Sequence, residues 1–125
     1  MSQAPFSIRR TLDRYGILLA GMCAAHCIAT IVVVSVAGVG SHFLLAPEIH
    51  EIGLAIAFAF AALAIGWGAL THRNMGPTLL AIAGLGLMGL ALMIGHGTAE
   101  VMLTISGVAL VAAGHVMNLR LPARI

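Results

Sequence analysis

The sequence predicts an all-α integral membrane protein: four transmembrane helices in an antiparallel bundle, with both termini cytoplasmic. Three observations carry this reading. Of the 125 residues, 61% are hydrophobic and only 8% are charged, against about 25% charged in an ordinary soluble domain. The apolar residues fall in four long runs, each near the ~20 residues that a helix needs to cross a bilayer. The six basic residues are all arginines (Arg9, Arg10, Arg14, Arg73, Arg120 and Arg124), and four spans would bring every one of them to the same side. Basic residues near span ends mark the cytoplasmic face. Three of the four acids, Glu48, Glu51 and Glu100, fall on the opposite side; the fourth, Asp13, sits with the arginines. So few charges exclude a soluble enzyme, a disordered tail and a nucleic-acid binder.

The elements follow in order within a single domain, residues 1–125. The first 14 residues are polar and basic, and the first span covers about 15–39. An apolar run of that length exceeds the 7–15 residues of a cleaved leader's core. The second span covers about 52–71 and ends at Thr71-His72-Arg73-Asn74. Gly76-Pro77 opens the third, about 77–95, with proline near a helix start where its missing N–H is harmless. A Gly95-His96-Gly97 turn leads into the fourth, about 99–118. Small residues recur at helix-packing spacing (Gly16, Ala20 and Ala24; Gly53, Ala57 and Ala61), and Gly84, Gly89, Gly107 and Gly114 extend the pattern. Close helix packing in lipid accounts for them.

Chemistry concentrates in the first span, at Cys23-Ala24-Ala25-His26-Cys27. On a helix turning 100° per residue, Cys23, His26, Cys27 and Thr30 share an arc about 100° wide. Cys23 lies ~14 Å along the axis from Arg14, near mid-bilayer, where a polar stripe should face the bundle interior. Thiolates bind soft ions strongly, and an imidazole beside them suits zinc or copper. Binding would hold the thiols deprotonated. The spacing is not the Cys-x-x-Cys of thiol oxidoreductases. The competing reading is that each cysteine is a small apolar residue.

Other donors sort by depth. His42, His50 and His96 lie near the outer surface with Glu48, Glu51 and Glu100. His42 and Glu48 read as solvated interfacial groups. For His50, Glu51, His96 and Glu100, which flank helix ends, both solvation and metal ligation stay open. His115 lies inside the apolar run, ~7–8 Å from Arg120, which favours a role for it. Asn118 shares its face, Asp13 stands at the cytoplasmic entrance, and His72 beside Arg73 reads as a terminal cap. The metal candidates are thus Cys23, His26, Cys27, His50, Glu51, His96, Glu100 and His115.

The chain resembles the MerC family of bacterial mercury-resistance membrane proteins. The resemblance rests on the short basic N-terminus with Asp13, the four spans, the Cys23-Ala24-Ala25-His26-Cys27 motif, and the stretch from Gly66-Trp67 to His72-Arg73. It implies inner-membrane uptake of Hg(II) by Cys23 and Cys27 toward a cytoplasmic reductase. Two features depart from that pattern: three residues rather than two separate the cysteines, and a second cysteine pair near the C-terminus is missing. The inner hand-off then falls to His72, His115 or a partner protein. The added imidazole and the outer His and Glu residues suit zinc or another borderline metal better than mercury.

The expected function is therefore transfer of a soft or borderline heavy-metal ion, Hg(II) or Zn(II), through a Cys/His relay at the bilayer midplane. No enzymatic activity and no resident cofactor are expected. A P-loop needs a lysine and the chain has none; inward movement of a cation already gains ~2.3 kcal/mol per charge per 100 mV. The expected partners are the ion, lipid, a periplasmic donor and a cytoplasmic acceptor, with a homo-oligomer left open. Two alternatives stand beside this: a haem-binding electron carrier ligated by His72 and His115, and a structural subunit of a membrane complex.

Overall fold

The computed structural model describes residues 4–37 and 46–122, and within them the chain is helical apart from short connections, with no strand. Helix α1 spans Ala4–Ala37. Helix α2 spans Pro47–His72, α3 Gly76–Ile94 and α4 Thr98–Arg120. All four are long and apolar enough to cross a membrane. His42 and Arg124 lie outside the described residues.

Two helix starts differ from the sequence expectation. Helix α1 begins well before residue 15, because the polar N-terminal segment is itself helical and docks through Arg9 and Asp13 on α4. Helix α2 begins at Pro47 rather than near 52, with the proline in its first turn, where a missing N–H breaks no helical bond. The expected turn between α3 and α4 is present, and Gly95 (φ 78°) and Gly97 (φ 156°) supply its backbone.

Helix α2 is not uniform. An α-helical stretch, Pro47–Phe60, gives way to a π-helical one, Ala61–Ile65, before α-helix resumes over Gly66–His72. Such widened turns are rare and concentrate at functional sites. Here the carbonyl of Ala64, inside the widened stretch, accepts a hydrogen bond from Asn118 Nδ2 at 3.0 Å.

Packing pairs the helices in opposite senses. Along α3 and α4, Pro77 lies against Gly114 and Gly84 against Gly107. A Cβ on Gly84 would lie 2.5 Å from the Gly107 carbonyl oxygen, and one on Gly107 would lie 2.6 Å from that of Gly84. The two backbones touch, as small residues permit where lipid gives no hydrophobic drive to associate. Between α1 and α2, Tyr15 meets Phe60 and His26 meets His50, with ring centroids 6.3 and 5.4 Å apart. Ala20 of α1 packs with Met88 of α3 and with Val108 and Val111 of α4.

The surface is inverted relative to a water-soluble protein. Val36, Leu70 and Met93 are more than 80% exposed, whereas Arg9, Asp13, His72, Glu100, Thr104, His115 and Asn118 are buried. Apolar surface outside and polar groups inside is the distribution that a hydrocarbon solvent demands.

Candidate metal path

The two cysteines are free, Cys27 buried and Cys23 partly so. Residues four apart on a helix hold their Cβ atoms ~5–6 Å apart, too wide for the 3.5–4.5 Å of a disulfide. An ion between the two sulfurs fits that spacing. Cys23, His26 and Cys27 wall a cavity of about 260 Å³ together with His50 from α2, Met88 from α3 and Thr104 from α4. The cysteine face therefore points into the bundle, as expected for polar groups at that depth.

Not every candidate converges there. Thr30 donates its hydroxyl to the His26 carbonyl at 2.8 Å, an ordinary backbond within its own helix, and lines a neighbouring pocket instead. That pocket, about 420 Å³, also takes in Ser35, His96 and Glu100. His96 Nδ1 lies 3.2 Å from Glu100 Oε2. Glu100 is buried in the first turn of α4, where the helix dipole favours an anion. Glu51 is exposed and lies outside both linings, because its place one residue after His50 turns it ~100° away on the helix. Among the described residues, no three His, Cys, Asp or Glu side chains are grouped closely enough to hold an ion. The expected donors are strung out along the bundle.

The far end holds a polar network whose extent sequence reasoning missed. Asn118 Nδ2 donates to Asp13 Oδ2 at 2.7 Å as well as to Ala64. Because both partners are acceptors, the amide orientation is fixed, and its oxygen must accept from His72 Nε2–H at 2.7 Å. The other nitrogen of His72, Nδ1, accepts from the Asn74 N–H at 3.1 Å. That nitrogen accepts from the chain beyond the helix end and caps no last-turn carbonyl, and His72 is buried. His115 Nδ1 lies 2.8 Å from Asp13 Oδ1, and Arg9 donates to the Asn118 carbonyl at 3.0 Å. Asp13, expected at the cytoplasmic entrance, is fully buried. Both ring nitrogens of His72 are thus engaged within the protein. The sequence signals for this network were the Arg9/Asp13 and His115/Asn118 spacings, each of which puts two polar groups on one helical face.

Between the cysteines and the network lies a second, much smaller cavity, lined by Gly16, Ala20, Cys23 and Met88, with His115 at its end. Its volume is about 10 Å³, on the order of one water or one bare ion. Among the described residues, the buried side-chain polar atoms without a hydrogen-bond partner are His50 Nδ1, Thr78 Oγ1 and His115 Nε2. Two of these three are imidazole nitrogens, and their residues line the two cavities that meet at Cys23.

Fold and site together define a multi-pass helical membrane protein with an apolar exterior and a thiol- and imidazole-lined interior. Residues 13–120 match the family described as MerC mercury resistance protein. The chain belongs to the MerC family, and so is a mercury-resistance membrane protein of a family of membrane transport proteins. No curated protein and no solved structure matches it.

Proposed function

We propose that this protein carries a soft metal ion, Hg(II) in the first instance, inward across the bacterial inner membrane by exchange between Cys and His ligands. The observation that carries the reading is the cavity of about 260 Å³ walled by Cys23, His26, Cys27 and His50. A buried imidazole nitrogen without a partner costs free energy, on the order of 1–3 kcal/mol, unless something else uses it. A cation passing the site is such a use.

The spread of the donors bears on the cargo. Structural zinc takes four ligands in a tetrahedron, whereas Hg(II) is satisfied by two thiolates in line. Two sulfurs four residues apart, with histidines flanking them, match the second demand better. Weak sites in series allow an ion to enter and leave without being trapped. With the arginine-rich ends on the cytoplasmic side, the His96–Glu100 pocket is the outer mouth and the Asp13–His115–Asn118 network the inner one. Neither the transport step nor these ligands involves catalysis.

The test is uptake of radiolabelled Hg(II) by cells expressing the protein, compared with Cys23→Ser and Cys27→Ser at matched abundance in the membrane. Each substitution is expected to abolish the protein-dependent uptake. Undiminished uptake in the double variant removes the proposal.

A further inference from the structure

We infer that Met88 is a further soft ligand, and that its thioether pairs with the Cys23 thiolate to hold a monovalent ion, Cu(I) or Ag(I). This rests on the transport reading just proposed and extends it to a second class of cargo. Helix α3 carries no cysteine, histidine or carboxylate. Among the described residues, Met88 is the one that α3 contributes to the wall of the cysteine cavity. Met88 is buried and, like Cys23, lines both the larger cavity and the smaller one. Cys27 lines the larger and not the smaller.

The register of the helices brings the two residues to one depth. Gly16 of α1 meets His115 of α4, and Thr30 shares a pocket with Glu100, so numbers fall along α4 as they rise along α1. Seven residues beyond Gly16, ~10.5 Å along the axis, stands Cys23; seven before His115 stands Val108, beside Gly107. Met88 packs on that glycine, where a Cβ would lie 2.7 Å from Met88 Cγ. The missing side chain at Gly107 is the room that the methionine stem occupies. Cys23 accordingly packs against the cluster that holds Met88 and Val108.

Charge decides which ion suits which pair. A thioether is a soft, uncharged donor, and thiolate with thioether is a set that selects Cu(I)-like ions. A monovalent ion on one thiolate and one thioether is neutral overall, as a divalent ion is on two thiolates. At mid-bilayer depth an uncompensated charge is costly, so Cys23 with Met88 matches the monovalent ion and Cys23 with Cys27 the divalent one. On binding, the Cys23 thiol loses its proton to solvent as the metal–sulfur bond forms. Met88 supplies a lone pair, and the ion keeps its oxidation state.

The experiment titrates the full chain in micelles with Ag(I) and, separately, with Hg(II), in chloride-free buffer and in competition with a chelator. Met88→Leu conserves the volume, a change that cores tolerate, and removes the sulfur. It is expected to weaken Ag(I) binding at least tenfold, and at least five times more than it weakens Hg(II) binding. Cys27→Ser is expected to do the reverse, costing Hg(II) at least five times more than Ag(I). Equal losses for the two ions in Met88→Leu, or a loss of Ag(I) affinity under threefold, mean that the methionine only fills space and overturn the inference. A second measurement leaves Met88 in place. With ¹³C at the methionine methyls, the resonance missing from Met88→Leu is expected to shift when the unsubstituted chain is saturated with Ag(I), and an unmoved resonance refutes the site. Absence of cysteine-dependent Hg(II) binding by the unsubstituted chain is a different result, and it overturns the proposed function.

Discussion

Replacing Asn118 with leucine should destabilise the bundle more than most single substitutions can. The two side chains share a branched four-atom skeleton, so the change removes hydrogen bonds and opens no cavity. Three contacts are lost: those to Asp13 Oδ2, to the Ala64 carbonyl and from His72 Nε2. Interhelical hydrogen bonds in bilayers average about 0.6 kcal/mol, which sets a floor near ~2 kcal/mol for three. The bond to the Asp13 carboxylate belongs to the stronger charged class, about 1.5–3 kcal/mol. Orphaning two further buried groups adds to that, so a loss of about 3 kcal/mol is expected. Titration of SDS into dodecylmaltoside micelles, followed by far-ultraviolet circular dichroism, measures it. The double variant with His72→Phe should cost less than the sum of the singles, since both remove one shared bond. A loss below ~0.5 kcal/mol, or strict additivity, refutes the claim that this network ties α1, α2 and α4 together.

Two other predictions address the interface and the site. Gly107→Ala forces a methyl to within 2.6 Å of the Gly84 carbonyl and 2.7 Å of Met88 Cγ, so α3 and α4 must part; a cost of about 1–3 kcal/mol is expected in the same SDS titration. His50→Ala should weaken Zn(II) binding more than tenfold and Hg(II) binding less than tenfold, because two thiolates suffice for mercury alone. Glu51→Gln should change neither, and chelator competition on the two purified variants checks all four values.

Hydropathy and arginine placement made the four spans legible, because in lipid every backbone group must be satisfied within the segment and only a long apolar helix does so. The same logic misjudged where α1 begins. Arg9 and Asp13 look like residues that end a span, yet they lie four apart and their side chains approach to 3.9 Å on a face that docks against α4. Hydropathy averages over faces and cannot see this. The π-helical stretch Ala61–Ile65 has no glycine or proline to announce it, and the partner of its Ala64 carbonyl, Asn118, lies more than fifty residues away in sequence.

The thiol face was readable because helical geometry is local: Cys23, His26 and Cys27 share a side whatever surrounds them. His50 could not be attached to that face from sequence, since its place beside His26 depends on the register between α1 and α2. Glu51, one residue on, shows the sensitivity; the same loop chemistry points elsewhere. His115 was singled out for its depth, but the carboxylate that holds it lies 102 residues away. Separations of that size are set by tertiary packing and leave no local signature.

The central claim is that the paired sulfurs and their neighbouring imidazoles bind the cargo within the bundle. Its most direct test is the metal content of purified protein, stripped with chelator and reloaded separately with Hg(II), Zn(II), Cu(I) and Fe(II), beside Cys23→Ala/Cys27→Ala. The account predicts tight, stoichiometric uptake of Hg(II) by the unsubstituted chain and none by the double variant. Equal metal content in the two proteins would contradict it.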